Sequence, residues 1–152
     1  YKSRDNINSI AHAHPMYGKT FSTLGKTLDP ISQDSCAFYE RTALFADYDG
    51  VANGPDEGIN IAKALGEKDF VILQNHGILT TGTMVDTTIW YFLNMEDACK
   101  SQLLAEAVGK PIIIPHETAC ATRDYVANDL SAYVSFQPTV DVLWEEEPDL
   151  LD

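Results

Sequence analysis

Residues 8–14 read Asn8-Ser9-Ile10-Ala11-His12-Ala13-His14, an apolar run that ends in two histidines two positions apart. Side chains along a β-strand return to the same face at every second residue, so we expect both imidazoles on one face. Pro15 follows at once, and proline favours the first turn of a helix. The pattern predicts a buried strand over residues 7–14 that presents a pair of imidazoles.

A third histidine follows a second apolar run. Residues 70–75 read as a buried strand, Asn75-His76-Gly77 as a tight turn, and Ile78-Leu79-Thr80 as the returning strand. We expect glycine at position 77 because such a turn needs a residue that tolerates positive φ. The hairpin would place His76 at its tip or just inside it, where Asn75 would either orient the imidazole or cap the turn.

Three of the four histidines in the chain therefore fall in one pattern. Three imidazole nitrogens with an open fourth position are the arrangement that a catalytic zinc ion uses. The sequence predicts a metal site made by His12, His14 and His76. Zinc suits this ligand set best, with manganese, cobalt or iron as substitutes.

Composition and charge narrow the class of protein. The chain has 152 residues, 45% of them hydrophobic, which suits one domain with a real core. Its net charge of -13 argues against nucleic acid and against anionic membranes as partners, because both attract basic surfaces. No run approaches the roughly 20 apolar residues of a membrane span, and no signal-peptide pattern is present.

Cysteine usage favours a reducing compartment. The chain has three cysteines, Cys36, Cys99 and Cys120, an odd number at irregular spacings without a disulfide framework or a paired-cysteine metal motif. We therefore expect a cytoplasmic protein, and we interpret Cys36 as a buried thiol. The chain opens on Tyr1 and enters an apolar run almost at once, so we also expect an upstream segment.

Helix signals follow both strands. The longest covers Val85 to Val108, and Gly109-Lys110-Pro111 ends it. Its apolar stripe, at helical spacing, consists of Ile89, Phe92, Leu93, Ala98, Leu103 and Ala107. Further helices are predicted over 16–24, from Pro55 to Gly66 and over 117–129, with turn chemistry from Asp49 to Pro55. The acidic end, residues 140–152, predicts either a strand or an arm that lies on a neighbouring subunit.

The sequence leaves more than one role possible for several polar residues. Asp34, Tyr39 and Glu40 lie 20 to 26 residues after the histidine pair and would provide acid–base chemistry or a fourth ligand, or else ordinary loop polarity. His116 follows Pro115 near a predicted helix start, and we interpret it as a surface or capping residue.

These motifs resemble the class II aldolase/adducin family. Residues 8–14 resemble its metal-binding strand, and Leu73-Gln74-Asn75-His76-Gly77 with Gly82 resembles its second metal motif, followed by the long helix. Asp29-Pro30-Ile31-Ser32 and Gly54-Pro55 fit the same order. The likeness covers residues 1–115, which we interpret as the C-terminal portion of such a domain, with residues 116–152 as a C-terminal helix and acidic tail.

The resemblance implies a three-layer α/β/α fold with a central, mostly antiparallel sheet. It implies homo-oligomers, often tetramers, and His12, His14 and His76 as ligands of Zn2+ or another divalent ion. In L-fuculose-phosphate and L-ribulose-phosphate enzymes of the family, the ion polarises a carbonyl and stabilises an enediolate. The first hypothesis is therefore a metal-dependent lyase acting on a small sugar phosphate or hydroxy-keto substrate.

The chain also departs from the aldolase branch. That branch carries a catalytic glutamate and phosphate-binding loops upstream of the histidine strand, and we expect both to lie before residue 1. Near Gln33, where fuculose-type enzymes carry an acidic tyrosine, Tyr39 is the nearest tyrosine. The adducin branch keeps a similar histidine strand without known catalysis. The second hypothesis is therefore an adducin-like, non-catalytic oligomeric scaffold module that retains the histidines.

Overall fold

A computed structural model describes residues 1–47 and 55–151 of the chain. The described strands are β1 (Ser9–Ala13), β2 (Thr42–Phe45), β3 (Phe70–Leu73) and β4 (Gly77–Gly82). The helices are α1 (Met16–Ser22), α2 (Pro55–Leu65), α3 (Val85–Val108), α4 (His116–Val126) and α5 (Asp129–Glu146), with short 3-10 turns at Ser35–Phe38 and Pro148–Leu151. The turn expected from Asp49 to Pro55 lies outside the described residues, except for Pro55, at which α2 begins.

The described strands form one sheet in the order β1-β4-β3-β2. β3 and β4 are an antiparallel hairpin in which Leu73 pairs with Gly77, as the sequence predicts. β1 is antiparallel to β4, whereas β2 is parallel to β3. The prediction of a mostly antiparallel sheet is confirmed.

The sheet separates two hydrophobic clusters. Because side chains alternate along β3, Phe70 and Ile72 face a cluster that includes Phe21 of α1 and Met95 of α3. The other residues of β3, among them Val71, face a second cluster on the opposite side of the sheet. The C-terminal end of α2 covers this cluster. Helices therefore cover both faces, and the predicted three-layer α/β/α architecture is confirmed.

Helix α3 begins and ends where the sequence predicts, but its buried face is rotated. Met95 and Cys99 are fully buried, while Leu93, which belongs to the predicted apolar stripe, is 46% exposed. Buried Thr87, Thr88 and Gln102 share the inward face. These polar side chains are tolerated because each makes hydrogen bonds inside the structure.

The histidine strand is less buried than predicted. β1 covers Ser9–Ala13 rather than residues 7–14, and His12 and Ala13 are exposed. The reason is its place at an edge of the described sheet, where it pairs with β4 alone. An apolar run cannot by itself distinguish an edge strand from a central one.

Helix α5 continues to Glu146 and a 3-10 turn follows at Pro148–Leu151, so the strand alternative for residues 140–152 is wrong. Asn128 caps α5 by accepting a hydrogen bond from the backbone amide of Ser131 at 3.0 Å, and the helix runs through Pro138 to Glu146. Ala132 of α5 is fully buried in the cluster around α3. No helix in the described part of the chain is long and apolar enough to cross a membrane.

Candidate metal centre

Three imidazoles meet where the end of β1 passes the β3–β4 hairpin. The ring centroids of His12 and His14 are 5.1 Å apart, those of His12 and His76 5.0 Å, and those of His14 and His76 4.5 Å. One ring nitrogen from each residue lies within 4.8 Å of the other two. The structure thus brings together the three residues that the sequence singles out.

The tautomer of His12 is fixed by the neighbouring strand. Its Nδ1 lies 2.9 Å from the backbone carbonyl oxygen of Ile78, which can only accept a hydrogen bond. Nδ1 therefore carries the proton in the neutral ring, and the lone pair of Nε2 is available to a ligand. Metal-binding histidines are commonly oriented in this way by a carbonyl or carboxylate on the other nitrogen.

Gly77 allows the two strands to approach closely enough. A Cβ atom at this position would lie 2.6 Å from the carbonyl oxygen of Ala13 and 3.2 Å from Cδ2 of His14. The expected reason for this glycine, a positive φ, is wrong: Asn75 is the turn residue with positive φ, at 59°. Asparagine tolerates this conformation better than most residues.

The hairpin turn is held from two sides. The backbone amide of His76 donates to the carbonyl of Leu73 at 3.0 Å, which closes the turn. The amide of Asn75 donates to the carbonyl of Ser22 at the end of α1. The turn that carries His76 is therefore anchored to the helix that directly follows His14 and Pro15.

Glu96 of α3 positions the beginning of α1. Its carboxylate accepts hydrogen bonds from the backbone amides of Tyr17 at 2.8 Å and Gly18 at 2.5 Å. The first amides of a helix have no partner within the helix, and a carboxylate there also favours the helix dipole. Glu96 thus caps the helix across a tertiary contact, which the sequence gives no reason to expect.

The electrostatic environment keeps His76 uncharged over a wider pH range than a free histidine. Burial lowers its pKa, and the neighbouring imidazoles of His12 and His14 lower it further. Glu57, in the first turns of α2, acts in the opposite direction. Neutral imidazole is the form that binds metal ions.

The other polar candidates take different places. Tyr39 and Glu40 lie beside His116 rather than joining the three histidines. Asp34 is likewise absent from the group, and no carboxylate or thiol among the described side chains joins the three imidazoles within 4.8 Å. Cys36 is fully buried, as predicted, and His116 is exposed at the first residue of α4.

Sequence comparison identifies the family. A family model described as "Class II Aldolase and Adducin N-terminal domain" matches residues 1–103. The chain belongs to the class II aldolase and adducin family. The family resemblance inferred from the histidine motifs is therefore confirmed.

Relatives within the class II aldolase and adducin family carry different names. The chain is 35% identical over 150 residues to the decarboxylase NovR of Streptomyces niveus, which covers 99% of this chain and 56% of that protein. It is 35% identical over 112 residues to alpha-adducin of Rattus norvegicus, which covers 72% of this chain and 15% of the adducin. The family therefore includes differently named proteins at similar identity to this chain.

A solved structure confirms the family fold. The L-fuculose 1-phosphate aldolase from Glaciozyma antarctica PI12 superposes with a TM-score of 0.87 at 38% identity. The match covers 97% of this chain and 56% of that one. The chain thus spans little more than half the length of the decarboxylase and of the solved aldolase.

Proposed function

We propose that this chain is part of a metal-dependent lyase of the class II aldolase type, acting on a small sugar phosphate or hydroxy-keto substrate by enediolate stabilisation. The observation that carries the proposal is the convergence of the ring nitrogens of His12, His14 and His76 within 4.8 Å. Membership of the class II aldolase and adducin family supports it.

The donor set fits Zn2+ or another divalent ion. Three neutral imidazoles are ligands of borderline softness, and the hydrogen bond from His12 Nδ1 to Ile78 leaves Nε2 free to bind. His12 and His14 are exposed, so a substrate oxygen can reach a fourth position. When bound, such an ion supplies Lewis acidity that polarises a carbonyl or hydroxyl oxygen.

The remaining residues of the site have a positioning role. Gly77 and the capped start of α1 hold His12 of β1, and His14 just after it, against the hairpin. The turn residue Asn75 sets the direction of His76 through its positive φ. These contacts fix the ligand geometry before any ligand arrives, which lowers the entropic cost of binding.

Location and assembly are part of the same proposal. We place the protein in the cytoplasm because its three cysteines are free. We infer a homo-oligomer, a tetramer as the family resemblance implies, since α5 leaves Val134, Val142 and Trp144 more than half exposed. No nucleic acid or membrane partner is proposed, in keeping with the net charge of -13.

The test uses the complete protein and two measurements. Metal content is determined by elemental analysis, and carbon–carbon cleavage is assayed on a panel of sugar phosphates and hydroxy-keto acids. We expect bound metal and turnover, both lost in His12→Gln and His76→Gln. Ala13→Ser, on the same strand between the two histidines, should retain both. A protein that takes up no metal at these histidines would contradict the proposal.

An adducin-like, non-catalytic scaffold is the second candidate. It is supported by the 35% identity to rat alpha-adducin over 72% of this chain. The same experiment separates the two functions, because a scaffold would bind metal through the histidines and turn over no member of the panel. Normal assembly of the His76→Gln variant together with absent turnover in the unmodified protein would favour the scaffold.

A further inference from the structure

A second group of ligand atoms, from two residues of α4 and from Glu40, lies apart from the three imidazoles. Cys120 Sγ is 3.8 Å from His116 Nδ1 and 3.9 Å from Nε2. Glu40 places Oε2 3.8 Å from Cys120 Sγ and Oε1 3.8 Å from His116 Nδ1. The group shares no residue with His12, His14 and His76.

These separations are close to those around a single ion. In a tetrahedral zinc site with bonds of about 2.0–2.3 Å, neighbouring ligand atoms lie about 3.3–3.8 Å apart. Cys120 Sγ lies 3.8 Å from Glu40 Oε2 and 3.9 Å from His116 Nε2, so a shift of a few tenths of an ångström in these side chains would bring them to that geometry. A thiolate, an imidazole and a carboxylate are all ligands that zinc accepts.

The backbone explains why these three residues meet. His116 and Cys120 are four residues apart on α4, so both side chains lie on one face of the helix. Glu40 follows the 3-10 turn at Ser35–Phe38 and adopts a φ of 60°. This left-handed conformation is uncommon for a residue other than glycine, asparagine or aspartate.

Two neighbours orient the group. The Tyr39 hydroxyl lies 3.1 Å from His116 Nδ1, and when it accepts the Nδ1 proton, the lone pair of Nε2 remains for a cation. Arg123 donates to Glu40 Oε2 at 3.3 Å. It competes with a cation for that oxygen, while Glu40 Oε1 lies on the His116 side of the group, 3.8 Å from Nδ1.

We propose that Glu40, His116 and Cys120 form a second cation site, suited to Zn2+ and independent of the three-histidine centre. The side chains of His116 and Glu40 are 64% and 52% exposed, so water completes the coordination. The site joins α4 to a segment about 80 residues earlier in the chain. A bound ion stabilises that connection because it binds the folded state in preference to the unfolded one.

Cobalt(II) is the probe, because a thiolate ligand gives a near-ultraviolet sulfur-to-metal charge-transfer band that an all-imidazole site cannot give. We expect this band when Co2+ is added to the complete protein, and its loss in Cys120→Ser, Glu40→Gln and His116→Gln. It should persist in Glu117→Gln, a neighbouring carboxylate on the same helix, and in the His12→Gln/His14→Gln double variant. Tyr39→Phe should weaken Co2+ binding about tenfold.

A second measurement uses the unmodified protein and so does not depend on variant folding. Zn2+ should slow alkylation of Cys120, while Cys36 and Cys99 stay protected by burial with or without the ion. Absence of the sulfur band, its persistence in Cys120→Ser, its loss in the His12→Gln/His14→Gln double variant, or Zn2+-independent alkylation of Cys120 would each overturn the proposal. Both readouts report on the sulfur of Cys120. A negative result therefore rejects this second site and does not test the three-histidine proposal.

Discussion

A Cβ atom on Gly77 would lie 2.6 Å from the carbonyl oxygen of Ala13, the residue between His12 and His14. Gly77→Ala should therefore push β1 away from the hairpin. We expect a loss of about 1–3 kcal/mol in the free energy of unfolding, the range for overpacked sites. Metal affinity should fall as well, because the His14 and His76 rings separate. Urea unfolding and metal titration measure the two effects.

Gly58 provides the matched control for that substitution. It lies inside α2, and nothing is within 4 Å of a Cβ atom built there. Gly58→Ala should stabilise the protein by about 0.5–1 kcal/mol, because alanine is the better helix former. Equal destabilisation by both substitutions would show that the close approach at Gly77 is not the cause.

Glu96→Ala should destabilise the protein by removing the cap on α1. The backbone amides of Tyr17 and Gly18 would lose their carboxylate partner, at a cost of about 1–2 kcal/mol, typical of helix N-caps. Asp97→Ala, which removes an exposed carboxylate from the next position, is the control. If thermal melts show equal losses for the two variants, the capping role is refuted.

The three cysteines should differ sharply in reactivity. Burial raises the pKa of Cys99 to about 12, and burial with help from Asp34 raises that of Cys36. At pH 8, below both raised pKa values, each remains a thiol and reacts slowly, since the thiolate is the nucleophile. Mass spectrometry after alkylation without added metal should find Cys120 modified first. Rapid modification of Cys99 in the folded protein would contradict this.

Gln102 holds the Asp29-Pro30 segment against α3. Its amide donates to Asp29 Oδ2 at 2.6 Å and its carbonyl accepts from the Asp29 backbone amide at 2.9 Å, while the side chain is fully buried. Gln102→Met keeps the volume but leaves that amide without its partner, at a cost of about 1–3 kcal/mol. Ser101→Ala, at an exposed position, is the control in urea unfolding.

Two predictions that were drawn from the periodicity of the sequence agree with the structure. The two-residue spacing of His12 and His14 predicts a shared face, and the rings lie 5.1 Å apart. Apolar recurrence predicts α3 from Val85 to Val108, and its bounds agree. Both are local patterns, so each can be read without knowledge of which elements pack together.

Features that depend on distant partners could not be predicted in the same way. The exposure of β1 follows from its position at an edge of the described sheet, and the role of Gly77 follows from the approach of Ala13. The group of Glu40 with His116 joins residues far apart in sequence. One local signal was available: the four-residue spacing of His116 and Cys120 places both on one helical face.

The position of β1 at an edge of the described sheet has a consequence for local opening of the fold. Edge strands have one paired side, so they separate from a sheet at lower free energy than central strands. His12 lies on this strand, whereas His76 lies on the hairpin turn. An ion bound to both residues would oppose separation of the strand from the hairpin. The hydrogen-exchange protection of the β1 amides would then report whether the centre holds an ion.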